Sequence, residues 1–573
     1  MPDPTTEELE GQKKARTDAV SAIVDSPAVK RLIVAGPGTG KTYTFRRAFS
    51  KVGDSGLALT FIRALEDDLR RSLPATVQVN TFHAYAKHLF HKLNGSEPFM
   101  YPPLPKLVAR DLQLAGRHET DEDIDEAFHE LNDSDGLITD AVARGDYYGA
   151  VSYDDIVYRA LRGLQTHPEQ IETFPLIVVD EYQDFNRLET EFIALLATVN
   201  YVLVAGDDDQ ALYVLKHASP DFLRAMAKGD TFARFELPFC SRCTAVIVGA
   251  VNDILAEALK RGLLLDRVAK PFECYLPDKL ADSHAYPRLI VARCSVDMNN
   301  ARYMGRYVLE QIQQIGIADI EESRKAAHPT ALVIAPRPFL ESAFEVIRQA
   351  YPHAELRMSS QPEVEPLEGY RRLLVDPRSR LGWRILVHAS PFADSDGVLE
   401  NVIASGSELA DAIPTGYRDE HIAVAQLLKK IIQKVALDAK DTARLEVAAG
   451  LPLDQIRAKV APEDPAEPGP APLPGPTNEP WIVCTTLVGA KGLSAPHVFI
   501  VGLMNGHLPR DPHNITDDEV CRMIVALSRT RKQCHLVFCQ RYAGVAKKPS
   551  EFFQWINQEW ELRDINKAYW QQH

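Results

Sequence analysis

Apolar residues in this chain gather in short runs, each followed by a helix-length stretch of mixed polarity. One group comprises Leu32–Ala35, Gly56–Phe61, Leu176–Asp180 and Tyr201–Gly206. A second comprises Leu289–Arg293, Ala331–Ala335, Ile482–Thr486 and His497–Gly502. Runs this short, bounded by polar residues and spaced by helical lengths, predict parallel strands joined by crossover helices. The groups divide the chain into 1–235 and 236–573, and each half is interrupted by a stretch with helical periodicity. Residues 87–170 hold acidic amphipathic segments such as Asp121–Leu131. Residues 362–480 hold Glu368–Leu374, the basic Arg378–Arg384 and a helical pattern over Ala423–Val435. The expected fold is α/β, with two parallel-sheet domains that each carry a mainly helical insertion. The first is 1–86 with 171–235, interrupted by 87–170; the second is 236–361 with 481–573, interrupted by 362–480.

The second insertion closes on PEDPAEPGPAPLPGPTNEP, with eight prolines between Pro462 and Pro480. Such a segment reads as a flexible or polyproline connector. Composition narrows the class: 45% hydrophobic and 25% charged residues are those of an ordinary globular chain. The longest uncharged apolar stretch, Ser494–Pro509, is broken by two prolines, two histidines and an asparagine. No window is long enough to span a membrane. MPDPTTEELEGQKKAR has no apolar core, so no secretory leader is expected and a cytoplasmic protein is. The eight cysteines are too few for a disulfide framework. Cys240 and Cys243 have CxxC spacing, but Cys274 and Cys294 form no second tight pair, so free thiols are expected rather than a metal site. The net charge, 64 − 79 = −15, argues mildly against a nucleic-acid partner.

The chemistry-bearing motifs reverse that first impression. In RLIVAGPGTGKTYTF a short strand runs into Ala35, Gly36, Pro37, Gly38, Thr39 and Gly40, then Lys41, Thr42 and Tyr43. Glycines let successive backbone N–H groups turn inward around phosphate oxygens. Lys41 is placed to reach β- and γ-phosphates, Thr42 to ligate Mg2+, and the helix N-terminus adds positive potential. In PLIVVDEYQDFN, four apolar residues deliver Asp180 and Glu181 to a strand's C-terminal edge, where open α/β sheets bind ligands. Asp180 suits a Mg2+ shell and Glu181 suits positioning and deprotonating a water. A third strand, YVLVAGDDDQALY, ends in Asp207–Asp209, expected as a solvated loop, and in Gln210, placed to sense a γ-phosphate.

In order and spacing these motifs resemble the UvrD/Rep-type superfamily 1 helicases. AGPGTGKT is similar to their motif I, LTFIRALEDDL to Ia, and NTFHAYA to the DNA-contacting motif that follows. VVDEYQDFN resembles motif II, AGDDDQALY motif III, LPFCSRCTAVI motif IV, TTLVGAKGL motif V and VALSRTRK motif VI. The likeness runs from about residue 16 to 556. It implies two RecA-like motor domains with ATP in the cleft between them. Arg242 and Arg529 would cross that cleft as arginine fingers. Single-stranded DNA would lie over both domains, stacked on Phe61, Phe82, His83 and Tyr213 and gripped by Lys216. Lys491 and Gly492 would couple strand contact to nucleotide state. Arg371, Arg372, Arg378, Arg380 and Arg384 are candidates for duplex phosphates, with an ordinary solvated helix face as the competing reading.

Departures from the family cluster on base and sugar. The tyrosine expected before Arg242 is Ser241, the arginine expected after motif I is Tyr43, and the glutamate expected after Leu493 is Ser494. Arg16 stands where the adenine-reading glutamine belongs, with Gln12 one helical turn earlier. Phosphate and Mg2+ groups are intact. The expectation is NTP hydrolysis with weakened discrimination for adenine, Tyr43 and Gln12 being the remaining base contacts. Leu215, Lys216 and Val488 also depart, which predicts a weaker grip on DNA.

The leading reading is an ATP-dependent (NTP-dependent) translocase and helicase on single-stranded DNA and ss/ds junctions. It is expected to move 3′→5′ and to serve repair, recombination or phage defence. The alternative is a nucleotide-gated, DNA-sensing regulatory subunit of a nuclease or repair complex. With 44 residues after Arg529, a fused nuclease domain is not expected. A metabolic P-loop kinase would not need the later motifs.

Overall fold

The computed structural model describes residues 4–60, 63–95, 97–212, 217–295, 301–358, 362–460 and 474–572. Six strands form the first sheet: β1 (Lys30–Val34), β2 (Gly56–Thr60), β3 (Val77–Thr81), β4 (Ile177–Val179), β5 (Val202–Gly206) and β6 (Ala233–Glu236). Their order is β3-β2-β4-β5-β1-β6, and every pairing is parallel. Seven strands form the second: β7 (Leu289–Cys294), β8 (Ala331–Ile334), β9 (Glu355–Arg357), β10 (Ile482–Thr485), β11 (Ala495–Val501), β12 (Thr530–Cys539) and β13 (Trp560–Ile565). Here the order is β9-β10-β8-β11-β12-β7-β13, again all parallel. The central strands are covered on both faces, so they read as continuous apolar runs rather than alternating ones.

All eight expected strands are present, with ends moved by a residue or two. Five further strands of these two sheets stand outside that expectation. Val77–Thr81, Ala233–Glu236, Glu355–Arg357 and Trp560–Ile565 lie at sheet edges and carry polar residues on an open side. Thr530–Cys539 is central, but its first half, TRKQ, conceals the apolar half that follows.

The helical stretches pack differently from one another. Helices between Phe82 and Thr166 share one core with the first sheet, in which Leu107, Phe128, Ile156 and Leu161 continue from Val179 and Val204. Helices between Pro366 and Val460 build a core of their own around Tyr370, Trp383, Leu428 and Ile456. Arg380–Ala389 joins the two: Leu381 and Ile385 enter the first core. The same helix carries Arg384, whose Nε donates to Asp111 at 2.8 Å, both side chains being fully buried. Tyr148 Oη donates to the other Asp111 oxygen at 2.5 Å.

That pairing removes Arg384 from the candidates for duplex phosphates. Arg384 has no path to solvent; Arg371 and Arg372 pair with Glu368, Arg378 with Asp411 and Arg380 with Glu408. The connector lies partly outside the described residues; at its far end Arg324 holds the carbonyls of Pro474 and Glu479 at 3.1 and 2.8 Å. No helix among the described residues is long and apolar enough to cross a membrane.

Candidate functional site

Register brings three strand tips together. Val34 pairs with Gly206 across β1 and β5, and Val179 with Val204 across β4 and β5. Ala35, Asp180 and Asp207 therefore leave the sheet side by side at its C-terminal edge. The loop after β1 turns through Gly38 (φ +68°) and Gly40 (φ +94°), left-handed conformations that favour glycine. Gly40 caps the helix Lys41–Lys51 without a side-chain partner for the first turn. Free N–H groups at that end suit an anion. Lys41 Nζ lies across the loop, 3.3 Å from the Ala35 carbonyl and 3.5 Å from that of Gly36. Thr39 Oγ1 closes the turn on Gly36 O at 2.8 Å. A Cβ on Gly36 would stand 2.6 Å from the Phe272 ring, and one on Gly38 2.4 Å from Arg242 Cβ, so the segment 240–272 is seated directly on this loop.

Asp180 is buried, and Glu181 beside it adopts φ +56°, an uncommon conformation for a non-glycine residue. Burial and the neighbouring Glu181 push the Asp180 carboxyl up. Burial acts on Glu181 too, but Lys491, Lys41, Gln183 and Arg529 outweigh it and hold Glu181 down. Glu181 thus stays ionised beside Lys41. Gln183 fixes it: Nε2 donates to Glu181 at 2.6 Å, while Oε1 accepts from the Asp207 N–H at 2.9 Å. Thr42 hydroxyl and Asp180 carboxylate are hard oxygen donors of the kind Mg2+ takes, beside a loop shaped for phosphate.

Residues from the half of the chain that carries the second sheet supply the opposite wall. Arg529 is buried; its Nη2 donates to Gln210 Oε1 at 2.5 Å, and Gln210 Nε2 donates to Asp207 at 2.5 Å. Burial and the nearby Arg242 bring the Arg529 guanidinium down to about 9. Ser241 N–H donates to Gly38 O at 3.0 Å, and Arg242 Nη1 reaches Ser528 O at 3.5 Å.

Several sequence readings need correction. Lys491 does not face a DNA track. It is buried in the seam, paired with Asp184, 3.7 Å from Glu181 and 3.2 Å from the Gln210 carbonyl. Phe82 is a core residue, its ring edge-on to Phe185 at 5.4 Å and to Phe192 at 5.2 Å. His83 is half-buried, its ring 5.0 Å from the exposed Tyr153. Gln12 has both amide ends engaged by backbone, donating to Cys274 O at 3.3 Å and accepting from Leu276 N–H at 2.9 Å, so in this arrangement it reads no base. Phe61, Tyr213, Leu215 and Lys216 lie outside the described residues.

Nor are Asp207–Asp209 solvated. All three are buried, and Lys270 Nζ contacts each of them, at 2.8, 2.8 and 2.7 Å. Arg267 holds Asp209 through two bonds at 2.8 and 2.7 Å, and Arg224 reaches Asp208 at 3.2 Å. The Lys270 ammonium occupies the centre of a triad that could otherwise hold a cation. Nothing in DRVAK marks this lysine as buried, whereas Gln183 and Asp184 belong to DEYQD, the motif that also carries Asp180 and Glu181. At the base end, Tyr43 is 47% exposed, with the Arg16 guanidinium 5.9 Å from its ring and 4.4 Å from that of Tyr275. Arg16 also pairs with Asp278 at 3.3 Å.

Comparison with known proteins agrees with this geometry. Residues 117–229 match the family described as UvrD/REP helicase N-terminal domain. DNA helicase II of Haemophilus influenzae is 23% identical over 307 residues, covering 44% of this chain and 41% of that protein. ATP-dependent DNA helicase UvrD2 of Mycobacterium tuberculosis is 24% identical over 292 residues, 40% of this chain and 41% of its own length. ATP-dependent DNA helicase PcrA of Staphylococcus epidermidis is 22% identical over 284 residues, 40% and 38% of the two chains. The matches span about two-fifths of the length of these curated relatives. The similarity of this chain to UvrD/Rep-type helicases, first read from its motifs, is borne out.

Proposed function

We propose that the chain is an ATP-dependent DNA helicase, hydrolysing ATP, and other NTPs less selectively than its relatives, while it moves 3′→5′ on single-stranded DNA. The observation that carries the reading is the cross-seam wiring. Arg529 from the second domain meets Gln210 from the first, and Lys491 meets Glu181 and Asp184. Groups that would touch a terminal phosphate are thus joined to groups on the other domain, as a motor requires. The two sheets correspond to RecA-like motors, 1–86 with 171–235 and 236–361 with 481–573, with 87–170 and 362–480 as insertions.

Each residue's task follows from its surroundings. The loop N–H groups and Lys41 bind phosphates, and Thr42 with Asp180 would hold Mg2+, which supplies charge neutralisation when bound. Glu181, held ionised, accepts a proton from water oriented toward the γ-phosphate position. Arg242 and Arg529 line the far side, where negative charge grows during phosphoryl transfer. For the strand, a cleft of about 700 Å³ at the C-terminal end of the second sheet is lined by Arg337, Val488, His507 and Arg510. His83 and Tyr153 offer stacking surfaces on the first domain. Work in repair, recombination or phage defence, with a nuclease or repair-complex partner and in the cytoplasm, fits this reading.

DNA-stimulated hydrolysis and unwinding of a 3′-tailed duplex test it. Both should fall by about 100-fold or more in Glu181→Gln, the range for loss of a general base. Hydrolysis indifferent to DNA would refute the motor and favour a regulatory subunit.

A further inference from the structure

The sequence pair set aside as ordinary thiols takes on a different character in the fold. Cys240 ends a short strand, Phe239–Cys240, and Cys243 stands just before the helix Ala245–Lys260. The Cys243 N–H donates to Cys240 Sγ at 3.4 Å, and the two thiols are themselves hydrogen-bonded. Between them stands Arg242, which reaches toward the nucleotide loop. A Cβ on Gly38 would come within 3.2 Å of Cys240 Sγ, while Cys243 Sγ lies 3.5 Å from Ser528 O, next to Arg529. A dithiol is therefore built into the hinge of one arginine finger and rests against the base of the other.

We propose that Cys240 and Cys243 are a reversible thiol–disulfide site, oxidised by peroxides, whose closure withdraws Arg242 and switches hydrolysis off. The Cys240 sulfur is the nucleophile. Burial opposes its ionisation, yet the Cys243 thiol, the backbone N–H groups of Cys243 and Arg242, and the Arg242 guanidinium together pull it down from the ordinary thiol value. Cys243, donating to Cys240 and buried, is pushed the other way. That is the asymmetry of an attacking and a resolving thiol in a Cys-x-x-Cys pair at a helix start.

The chemistry balances. Cys240 thiolate attacks one oxygen of hydrogen peroxide, the O–O bond breaks, and hydroxide leaves, giving a sulfenic acid. The Cys243 sulfur attacks the sulfenic sulfur; the S–S bond forms, the S–O bond breaks, and hydroxide leaves with the proton from Cys243 as water. Two thiols lose two electrons and two protons, and one peroxide becomes two waters. A dithiol reductant reverses the reaction through a mixed disulfide. Both sulfurs are sealed by Gly38 and Ser528, so oxidation proceeds when these segments part, and nucleotide that draws them together slows it. Forming the bond draws the sulfurs to about 2.05 Å and tightens the Ser241–Arg242 link. Arg242 can then no longer reach across.

The switch rests on the proposed hydrolysis only for its activity readout; the disulfide is detected independently. Full-length protein is treated with hydrogen peroxide, remaining thiols are alkylated, and the peptides are mapped by mass spectrometry. A Cys240–Cys243 cross-link and a fall of at least ~10-fold in hydrolysis, restored by dithiothreitol, are expected, since an arginine finger is worth far more than that. Cys243→Ser and Cys243→Ala should retain hydrolysis and lose its reversible inhibition. A Cys240–Cys274 link, or no link at peroxide levels that oxidise exposed thiols, overturns the site. A correct link with unchanged hydrolysis overturns the switch. If reduced protein hydrolyses no nucleotide, the function fails, and the cross-link still decides the dithiol.

Discussion

Lys270 is the cation whose removal should be felt most. It is buried and 2.7–2.8 Å from carboxylate oxygens of Asp207, Asp208 and Asp209. With Arg267 and Arg224 it balances three negative charges with three positive ones. Lys270→Met leaves one buried carboxylate uncompensated, and breaking a buried pair from one side costs about 3–5 kcal/mol. For a cooperative unit of 150–250 residues that is a fall in Tm of roughly 6–20 °C. The pH dependence fixes the cause. Burial raises Asp207 and Asp209, and Lys270 is the largest opposing influence on both, leaving Asp209 below its ordinary value. Without Lys270, Asp207 and Asp209 move up, so the folded variant takes up protons more readily than the unfolded chain and loses stability as pH rises. The deficit against wild type should be greatest at pH 8 and shrink toward pH 5. Adding Asp208→Asn should recover more than half of it. Thermal melts of the three proteins across that range provide the measurement. A loss below ~1 kcal/mol at pH 8, or a deficit independent of pH, would refute the reasoning.

Other tests follow from the same physics. Phe82→Ala should cost about 3–5 kcal/mol in chemical denaturation, the price of emptying an aromatic core site, with little effect on DNA affinity per folded molecule. Arg384→Met alone should destabilise by about 3–5 kcal/mol, whereas Arg384→Met with Asp111→Leu should recover most of that, because no charge is then left buried. Arg529→Ala should lower hydrolysis by ~1,000-fold or more while nucleotide still binds, checked by fluorescent-nucleotide titration. His129 lies 3.1 Å from Asp154, and although burial opposes its charge, Asp154 raises it overall. That contribution is present below the ordinary histidine value and is lost as pH rises through the folded one. Asp154→Asn should therefore cost more Tm at pH 5.5 than at pH 8.5.

Strand tips and the glycine loop were legible because their signals are local. Four apolar residues and a glycine loop state where β1 ends, and an acid pair after β4 states what stands beside it. Lys491 and Lys270 were misread or missed because their partners are distant: Lys491 meets Asp184, 307 residues away, and Lys270 meets Asp208, 62 away. A lysine's burial is decided by the carboxylates that fold around it. Phe82 illustrates the converse. Its motif position suggested a nucleic-acid surface, but Phe185 and Phe192, brought together by β4 and the helix Arg187–Leu196, claim its ring.

Strand order also sets a timetable for synthesis. Every strand of the first sheet lies between Lys30 and Glu236, so that sheet can close while the rest of the chain is still being made. The second sheet cannot: β11 and β12, which occupy its middle, end only at Val501 and Cys539. About 300 residues separate completion of the two, some 15–60 s at ribosomal rates of about 5–20 residues per second. Within that interval β7, complete at Cys294, waits for β12 and β13, and β8, complete at Ile334, waits for β10, which ends at Thr485; both strands are mostly apolar. A nascent chain stalled near residue 360 should expose a finished nucleotide loop beside an unfinished, chaperone-dependent half.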